Sequence, residues 1–514
     1  PHSVMVLRHG KVILEGYWKP YCADYPQALY SMSKSIVSTA VGMAVGEGRF
    51  RLSDKLTDFF PQRAASLTAK LYTPITVRHL LTMSAGSTFT EIGAFLDEDW
   101  VRAYLDAELF FQPGSRFHYN SLNSYMLSAI IRERTGEGLV DYLRPRLWEP
   151  LGITDAWWEK SPHGIEKGGW GLNLKTEDIA KLGQLYLQKG RWTVDGEECR
   201  LLSENWVRAA TKPQIRAEEG DGSDGYGYQI WMCGTDGAYE FNGAFGQIMM
   251  VVPRYDVVVA VTAGAICCFL SGSPSDTIRE FFFRDDFYAA GPLPPDRSGE
   301  LGRLTERLRV LSLSPLDTRA QRKKTAEVPE SAMRVNGRRF AVKNGVADIL
   351  PLIQQVMHSN YASALTAVRL AFTGGACRFT AVVDGEENTL EAGLDGAPRY
   401  AAARIRGETY WIGGLGDWLH DDLGRDLLLL RFTFVETPDT RIIRVVFDGP
   451  RLFLRFDEAP GMMESVNMLS TLVGEKSPVT GGILGFIQKS SQTAEIERKV
   501  ITPAVEANLV PHLP

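Results

Sequence analysis

A serine and a lysine three positions apart could form a nucleophile with its own base. Ser31-Met32-Ser33-Lys34 stands where apolar residues begin to recur at helical spacing, which predicts a helix from Ser31 to Glu47. Residues three apart share one helix face, so the lysine amine can reach the serine hydroxyl. A serine is a weak nucleophile until a base takes its proton, and lysine can act as that base only if its pKa is lowered. Alone, the pair is also typical of a solvated helix start.

Two further segments could complete such a site. Tyr119 precedes a predicted helix from Ser124, and its phenol could exchange protons in a cleft if neighbouring cations lowered its pKa. Phe241-Asn242-Gly243-Ala244 precedes an apolar strand, where small residues would let a substrate approach the strand edge. The backbone N–H groups of Ser31 and Ala244 could then form an oxyanion hole. Each segment alone is equally typical of a packed tyrosine or a glycine-containing hairpin.

Taken together and in this order, the segments resemble the serine β-lactamase-like superfamily. That superfamily includes class C β-lactamases, penicillin-binding proteins, family VIII esterases and 6-aminohexanoate-dimer hydrolases. Tyr30–Ser35 is similar to its nucleophile helix, and three further stretches are similar to family segments, namely Ile75–Gly86, Trp148–Ile153 and Gly169–Gly183. The resemblance implies an α/β catalytic domain, in which an antiparallel sheet is flanked by helices and accompanied by a mainly helical subdomain.

The resemblance also implies roles for single residues. Ser31 matches the acylated serine, Lys34 the base or hydrogen-bond partner, and Tyr119 the tyrosine that moves protons to and from the leaving group. Ser121 lies where class C β-lactamases have asparagine, and Phe241-Asn242-Gly243 fills the position of Lys-Thr-Gly or His-x-Gly. The cation that would bind a substrate carboxylate is therefore missing, and such a charge-assisted contact is worth about 1.5–3 kcal/mol. We expect an ester, or an amide without that carboxylate, rather than efficient β-lactam turnover.

The predicted function is hydrolysis of a small ester or amide through an acyl-Ser31 intermediate, without a metal or an organic cofactor. The residues predicted to form the oxyanion hole or to contact the substrate are Ala244, Ser121, Gly243, Phe241 and Trp170. Two alternatives stay open: a transacylase that passes the acyl group to an alcohol or amine, and a noncatalytic penicillin-binding-like sensor. A Ser-His-Asp triad is disfavoured, because His79 lies in the Leu-Leu stretch and the chain has no GxSxG elbow.

Length and residue pattern predict more than one domain. A chain of 514 residues is too long to fold around one hydrophobic core of ordinary size, and the residue pattern changes near residue 290 and again near 328. We expect a catalytic domain over 1–290, a connector over 291–328 and a smaller β-rich domain of unknown role over 329–514. In that last part alternating residues predict strands, with a helix near Asp348–Met357 and helical closing segments after Gly482.

Composition limits the partners. A net charge of -6 gives no general attraction for nucleic acid, and no apolar run approaches the roughly 20 residues needed to span a bilayer. The six cysteines lack metal-ligand spacing and favour a reducing compartment, so we expect a cytoplasmic protein, with a processed leader before Pro1 as the alternative. A homo-oligomer is compatible with the sequence.

Overall fold

The computed structural model describes residues 1–62, 75–217, 225–234, 237–266, 272–288, 297–313, 327–343, 348–351, 354–355, 365–383, 385–461 and 504–510. The chain divides into two compact units. The first comprises Pro1, Ser3–Tyr17 and Ala23–Val310, and the second comprises His2, Trp18–Cys22 and Leu311–Pro514. Within the predicted connector, the described residues include one helix, Glu300–Arg309, and it belongs to the first unit.

The first unit contains strands from both ends of its sequence and a long helical block between them. Its strands are β1 Ser3–Arg8, β2 Lys11–Tyr17, β3 Gln27–Ala28, β4 Trp157–Trp158, β5 Leu172–Leu174, β6 Arg191–Val194, β7 Glu197–Arg200, β8 Trp231–Met232, β9 Tyr239–Gly243, β10 Gln247–Val252 and β11 Val257–Thr262. Its helices are α1 Ser33–Gly46, α2 Leu56–Phe59, α3 Val77–Leu81, α4 Glu91–Leu96, α5 Trp100–Asp106, α6 Ser121–Thr135, α7 Leu139–Leu143, α8 Glu149–Leu151, α9 Thr176–Leu187, α10 Glu204–Ala210, α11 Pro274–Phe282 and α12 Glu300–Arg309.

A six-stranded antiparallel sheet joins the two ends of this unit in the order β2-β1-β11-β10-β9-β8. Strands β1 and β2 form an N-terminal hairpin, and β1 pairs with β11, for instance Met5 with Ala260. Every residue of β10 and β11 is buried, because apolar side chains cover both faces. Met249 points into the core that contains α1, whereas Met250 packs on the α11 side. This burial on both faces explains the nearly continuous apolar runs in the sequence.

Helix α1 runs through the centre of the helical layer. Twelve of its 14 residues are buried, and Ile36, Val37, Ala40 and Val41 belong to the main core cluster. The helix has small residues where neighbours approach: a β-carbon at Gly42 would lie 2.5 Å from the Trp206 ring. A helix enclosed in this way has little freedom to shift, so the residues at its first turn are held in place by the core.

The second unit is built on one sheet of ten strands that encloses its own apolar core. It contains α13 Glu330–Met333, β12 Arg339–Val342, β13 Leu365–Thr373, β14 Ala376–Val383, β15 Glu386–Gly393, β16 Arg399–Ile405, β17 Glu408–His420, β18 Asp426–Phe434, β19 Thr440–Asp448, β20 Arg451–Ala459 and β21 Ala504–Leu509. The order is β15-β14-β13-β12-β21-β20-β19-β18-β17-β16, and a further pairing of β15 with β17 closes the sheet on itself. The predicted β-rich character of this part is confirmed.

The last described segment differs from expectation. After Gly482 helical segments were predicted, but Ala504–Leu509 is a strand that pairs with β12 and β20. Val505 and Ala507 alternate into the core, and this period of two favours a strand once two neighbouring edges are available for pairing. The rest of that prediction lies outside the described residues. Of the helix predicted near Asp348–Met357, residues 348–351 are not helical, residues 354–355 are helical, and the others lie outside the described part. No helix of the described part is both long and apolar enough to cross a membrane.

Candidate active site

The predicted nucleophile lies on a tight turn that leads into α1. Ser31 is the middle residue of the 3-10 turn Tyr30–Met32, and the helix continues directly from Ser33. Tyr30 adopts a positive φ of 47°, which is uncommon for a large side chain and costs on the order of 1–3 kcal/mol. Ser31 stays partly exposed while the next thirteen residues are buried. The turn thus presents one hydroxyl to the outside at the N-terminal end of a buried helix.

Lys34 lies directly beneath that hydroxyl. Its Nζ is 2.9 Å from Ser31 Oγ and donates to the carbonyl of Gly169 at 2.7 Å. The side chain is 1% exposed. Burial lowers the pKa of Lys34 from 10.5 to about 7, although the Glu91 carboxylate acts in the opposite direction. An amine that is half deprotonated near neutrality, within hydrogen-bond distance of a serine, is able to take the serine proton.

Tyr119 completes the group of three, and its protonation differs from expectation. Its hydroxyl hydrogen-bonds to Ser31, and the Lys34 Nζ lies 4.9 Å from its ring centroid. Burial raises the pKa of the Tyr119 phenol well above its ordinary value, with the Ser31 hydrogen bond opposing and Glu91 adding to the increase. A lowered pKa was expected from neighbouring cations, but burial of the phenol has the larger effect. A phenol with a raised pKa stays protonated near neutrality, so Tyr119 is suited to donate a proton and Lys34 is suited to accept one.

The end of β9 packs against the nucleophile turn. Gly243 has no side chain here because a β-carbon would overlap the Leu29 carbonyl oxygen and lie 3.1 Å from the Met32 nitrogen. The next residue, Ala244, begins a 3-10 turn in which Phe245 has a φ of 64°. The rings of Phe245 and Tyr30 meet edge to face at 5.0 Å. Two residues in the left-handed region, one on each side of the site, thus fix the Ser31 and Ala244 backbones relative to each other.

The predicted residue Ser121 lies near Lys34 together with Gly169 and Glu91, which were not predicted as site residues. Gly169 provides the carbonyl that holds the amine, and a β-carbon on it would lie 2.6 Å from the Ser121 carbonyl oxygen. Ser121 is 6% exposed, and its N–H donates to Glu91 Oε1 at 3.0 Å. The sequence carries no signal for Glu91, because it only begins a short helix.

Two predicted substrate contacts lie in the core instead. Phe241 is 1% exposed and its ring packs edge-on against Tyr186, because alternation along β9 turns it toward the helices. Trp170 is 6% exposed and stacks on Trp100 at 5.7 Å. Both side chains are therefore placed to pack the core rather than to line a cleft. The ring of Trp231 does meet the site, since it stacks on Tyr119 at 5.8 Å.

The segment that fills the position of Lys-Thr-Gly has no lysine. Phe241 stands at the lysine position and is buried. The next residue, Asn242, is partly exposed, and its Nδ2 donates to Glu240 Oε1 at 2.9 Å. Glu240 in turn accepts a hydrogen bond from Ser275 of α11. The polar group that this segment presents is therefore an amide anchored to a carboxylate.

The histidines are placed away from a triad role. His79 lies at the first turn of α3, where its Nδ1 accepts the Thr76 N–H. The ring of His118 packs between Phe110 and Phe111. In the described part of the chain, no group of three or more His, Cys, Asp or Glu residues could hold a metal ion.

An antiparallel sheet interrupted by a helical block, with Ser-x-x-Lys at the start of its central helix, is the arrangement of serine hydrolases of the β-lactamase type. Residues 2–264 match the family model described as Beta-lactamase, which is just over half of the chain. The chain therefore belongs to that family.

Similar proteins include hydrolases of two kinds. A 6-aminohexanoate-dimer hydrolase of Paenarthrobacter ureafaciens is 25% identical over 294 residues, which cover 50% of this chain and 71% of that protein. The esterase EstB of Burkholderia gladioli is 28% identical over 179 residues, covering 30% of this chain and 45% of the esterase. A penicillin-binding protein homologue of Caulobacter crescentus aligns with a TM-score of 0.43 and 19% identity, over 51% of this chain and 86% of its own.

The pKa of Lys34 predicts how activity depends on pH. Because burial lowers that pKa to about 7, the amine is protonated below this pH and cannot accept the serine proton. We expect kcat/KM for a neutral ester to rise with pH through an inflection near the pKa of Lys34, and to fall about tenfold per pH unit on the acid side. A steady-state pH profile measures this. An acid limb centred in the ordinary range of carboxylates would contradict the assignment of Lys34 as base.

Proposed function

We propose that this protein hydrolyses a small ester or amide through a covalent acyl-Ser31 intermediate. The observation that carries the proposal is the 2.9 Å distance between Lys34 Nζ and Ser31 Oγ in a site that lowers the pKa of Lys34 to about 7. Any buried amine requires hydrogen-bond partners, and here one of the two is the partly exposed Ser31 hydroxyl, which a substrate can reach. The similarity to a 6-aminohexanoate-dimer hydrolase and an esterase supports the same reaction class.

The first half-reaction follows from the positions of the three groups. Lys34 takes the proton of Ser31, and the serine oxygen bonds to the substrate carbonyl carbon. The negative charge that develops on the carbonyl oxygen is stabilised by the N–H groups of Ser31 and Ala244, whose backbones are fixed side by side. Tyr119, protonated and hydrogen-bonded to Ser31, gives its proton to the departing alcohol or amine and recovers one from Lys34. Water then attacks the acyl-enzyme by the reverse sequence of proton transfers.

The substrate class follows from the missing cation. Asn242, held by Glu240, offers no positive charge for a substrate carboxylate, so a β-lactam or a D-amino-acid carboxylate would lose that contact. Trp231 and Tyr119 offer aromatic surface instead. A neutral ester, or an amide without an adjacent carboxylate, fits these surroundings better.

A substrate screen with wild type and Ser31→Ala tests the proposal. We expect short-chain p-nitrophenyl esters or simple amides to be hydrolysed by wild type, and the rate to fall by about 10³-fold or more in Ser31→Ala. Ser33→Ala, which alters a buried neighbour that accepts the Leu172 N–H, serves as the matched control. Turnover that persists in Ser31→Ala would refute the acyl-serine mechanism. Rapid hydrolysis of a chromogenic cephalosporin would refute the substrate argument, and ester formation with added alcohol would favour the transacylase.

A further inference from the structure

A carboxylate with no role in the mechanism above lies next to the catalytic group. Glu91 is the first residue of α4, and its Oε1 accepts the backbone N–H of Ser121 at 3.0 Å. The loop that carries it is also fastened to α6, since Asn120 Nδ2 donates to the carbonyl of Phe89 at 2.9 Å. These contacts hold the Glu91 carboxylate at Ser121, which is the first residue of α6 and follows Tyr119 by two positions. An anion at that end of a helix is stabilised by the helix dipole.

Backbone contacts lead from this carboxylate to the amine. The Ser121 backbone touches that of Gly169, as shown by the 2.6 Å that would separate a Gly169 β-carbon from the Ser121 carbonyl oxygen. The Gly169 carbonyl in turn accepts from Lys34 at 2.7 Å. Since the hydrogen bonds of Lys34 go to Gly169 and Ser31, Glu91 acts on the amine through space.

Among the groups around Lys34 in the described part of the chain, Glu91 is the one that carries a charge. The turn before α1 contributes the Ser31 hydroxyl, the loop before β5 contributes the Gly169 carbonyl, and the segment before α6 contributes the Tyr119 phenol. These three are neutral. The charge of Glu91 favours the protonated form of both Lys34 and Tyr119, and so raises the pKa of each.

We propose that Glu91 is a positioning residue that stabilises the ammonium formed on Lys34 during acylation. In that step the Oγ–H bond of Ser31 breaks, the proton bonds to Lys34 Nζ, and the oxygen electron pair bonds to the substrate carbonyl carbon. The new positive charge arises in a buried place, where a charge without a counter-charge is costly. The Glu91 carboxylate offsets part of that cost. This inference rests on the proposed function, because it assumes the acyl-Ser31 step.

Replacing Glu91 by glutamine separates its charge from its hydrogen bond. Glu91→Gln keeps an oxygen that can accept the Ser121 N–H, whereas the negative charge is lost. We expect the acid limb of the kcat/KM profile to move by roughly half a unit to one unit toward lower pH. The plateau rate should fall by about 3- to 10-fold, because a less basic amine is a weaker proton acceptor. Glu98→Gln, which removes an exposed carboxylate just beyond α4, should leave both unchanged.

Two outcomes would overturn the inference. The first is an acid limb of Glu91→Gln that coincides with that of wild type, since a purely structural role would leave the profile in place. The second is an acid limb of Glu91→Asp that shifts as far as that of Glu91→Gln. Aspartate keeps the charge, so this variant should retain the wild-type acid limb even if its rate is reduced. The comparison of Glu91→Asp with wild type also tests the inference if the glutamine variant folds poorly. Ser31→Ala in the same series distinguishes the two failures. Persistent turnover in Ser31→Ala would refute the proposed function, whereas an inactive Ser31→Ala with an unshifted Glu91→Gln would refute this inference alone.

Discussion

Replacing Lys34 by methionine should reduce kcat/KM for the best ester substrate by about 10³-fold or more while the protein stays folded. Lys34 is 1% exposed, and methionine fills a similar volume without the amine. The variant loses the hydrogen bonds to Ser31 and Gly169. The variant also avoids the free-energy cost of burying an amine, and the lowered pKa of Lys34 reflects that cost in the wild type. These contributions oppose each other, so we expect the free energy of unfolding to change by no more than about 2 kcal/mol.

Lys34→Arg distinguishes proton transfer from charge. Arginine keeps a cation on α1 but cannot give up its proton near neutrality, so this variant should be as inactive as Lys34→Met. Lys160→Met, in which the replaced lysine is 56% exposed, controls for the loss of a lysine elsewhere. Steady-state kinetics with thermal unfolding of each variant would test this. If Lys34→Arg retained activity within about tenfold of wild type, Lys34 would act as a fixed charge and the assignment of it as base would be wrong.

The sequence predicts that Ser31 and Lys34 lie side by side, because that information is local. Ser31 and Lys34 are three residues apart on one helix, and the periodicity of α1 places both at its start. Tyr119 is brought to them by tertiary packing, yet its position before a helix and the order of the family segments were sufficient to identify it. The six-stranded sheet was also predictable in outline, since alternating runs at both ends of the unit have to pair with each other.

The sequence could not predict features that depend on which way a side chain faces or on contacts between residues far apart in the chain. Residue type marks Phe241 and Trp170 as apolar, but only the alternation of β9 and the packing of α5 place them in the core. Glu91 begins a helix of six residues and is brought to the site by its hydrogen bond to Ser121. The direction of the Tyr119 pKa shift is set mainly by the burial of the phenol, which no local pattern reports.

The second unit shows the same limit at the level of strands. Apolar residues alternate plainly in β18 and β19, whereas the pattern is weaker in β15 and β17. Glycine disfavours strands in general, and β17 contains three. At Gly414 a β-carbon would overlap the Glu391 carbonyl oxygen, so glycine allows the crossing of β15 and β17 that closes the sheet.

Adding one methyl group at Gly243 should disable the site from the side opposite Lys34. The backbone of Gly243 has a φ of −130°, which any residue can adopt, so Gly243→Ala introduces no torsional strain. Its β-carbon, however, would overlap the Leu29 carbonyl oxygen and press on the Met32 nitrogen, and both are backbone atoms of the nucleophile turn. Either the turn or the end of β9 has to move, at a cost of about 1–3 kcal/mol. Because Ala244 follows immediately, the movement separates its N–H from that of Ser31.

We therefore expect Gly243→Ala to lower kcat/KM by about 10²-fold, the effect of losing one oxyanion-hole donor, with a smaller change in KM. Gly46→Ala is the matched control, because a β-carbon there meets no atom within 4 Å at the end of α1 and alanine favours the helix. Ester kinetics, thermal unfolding and labelling of Ser31 by a fluorophosphonate would separate misplacement of the oxyanion hole from global unfolding. A Gly243→Ala variant with wild-type kcat would show that the close packing of β9 on the nucleophile turn does not set the geometry of the reaction.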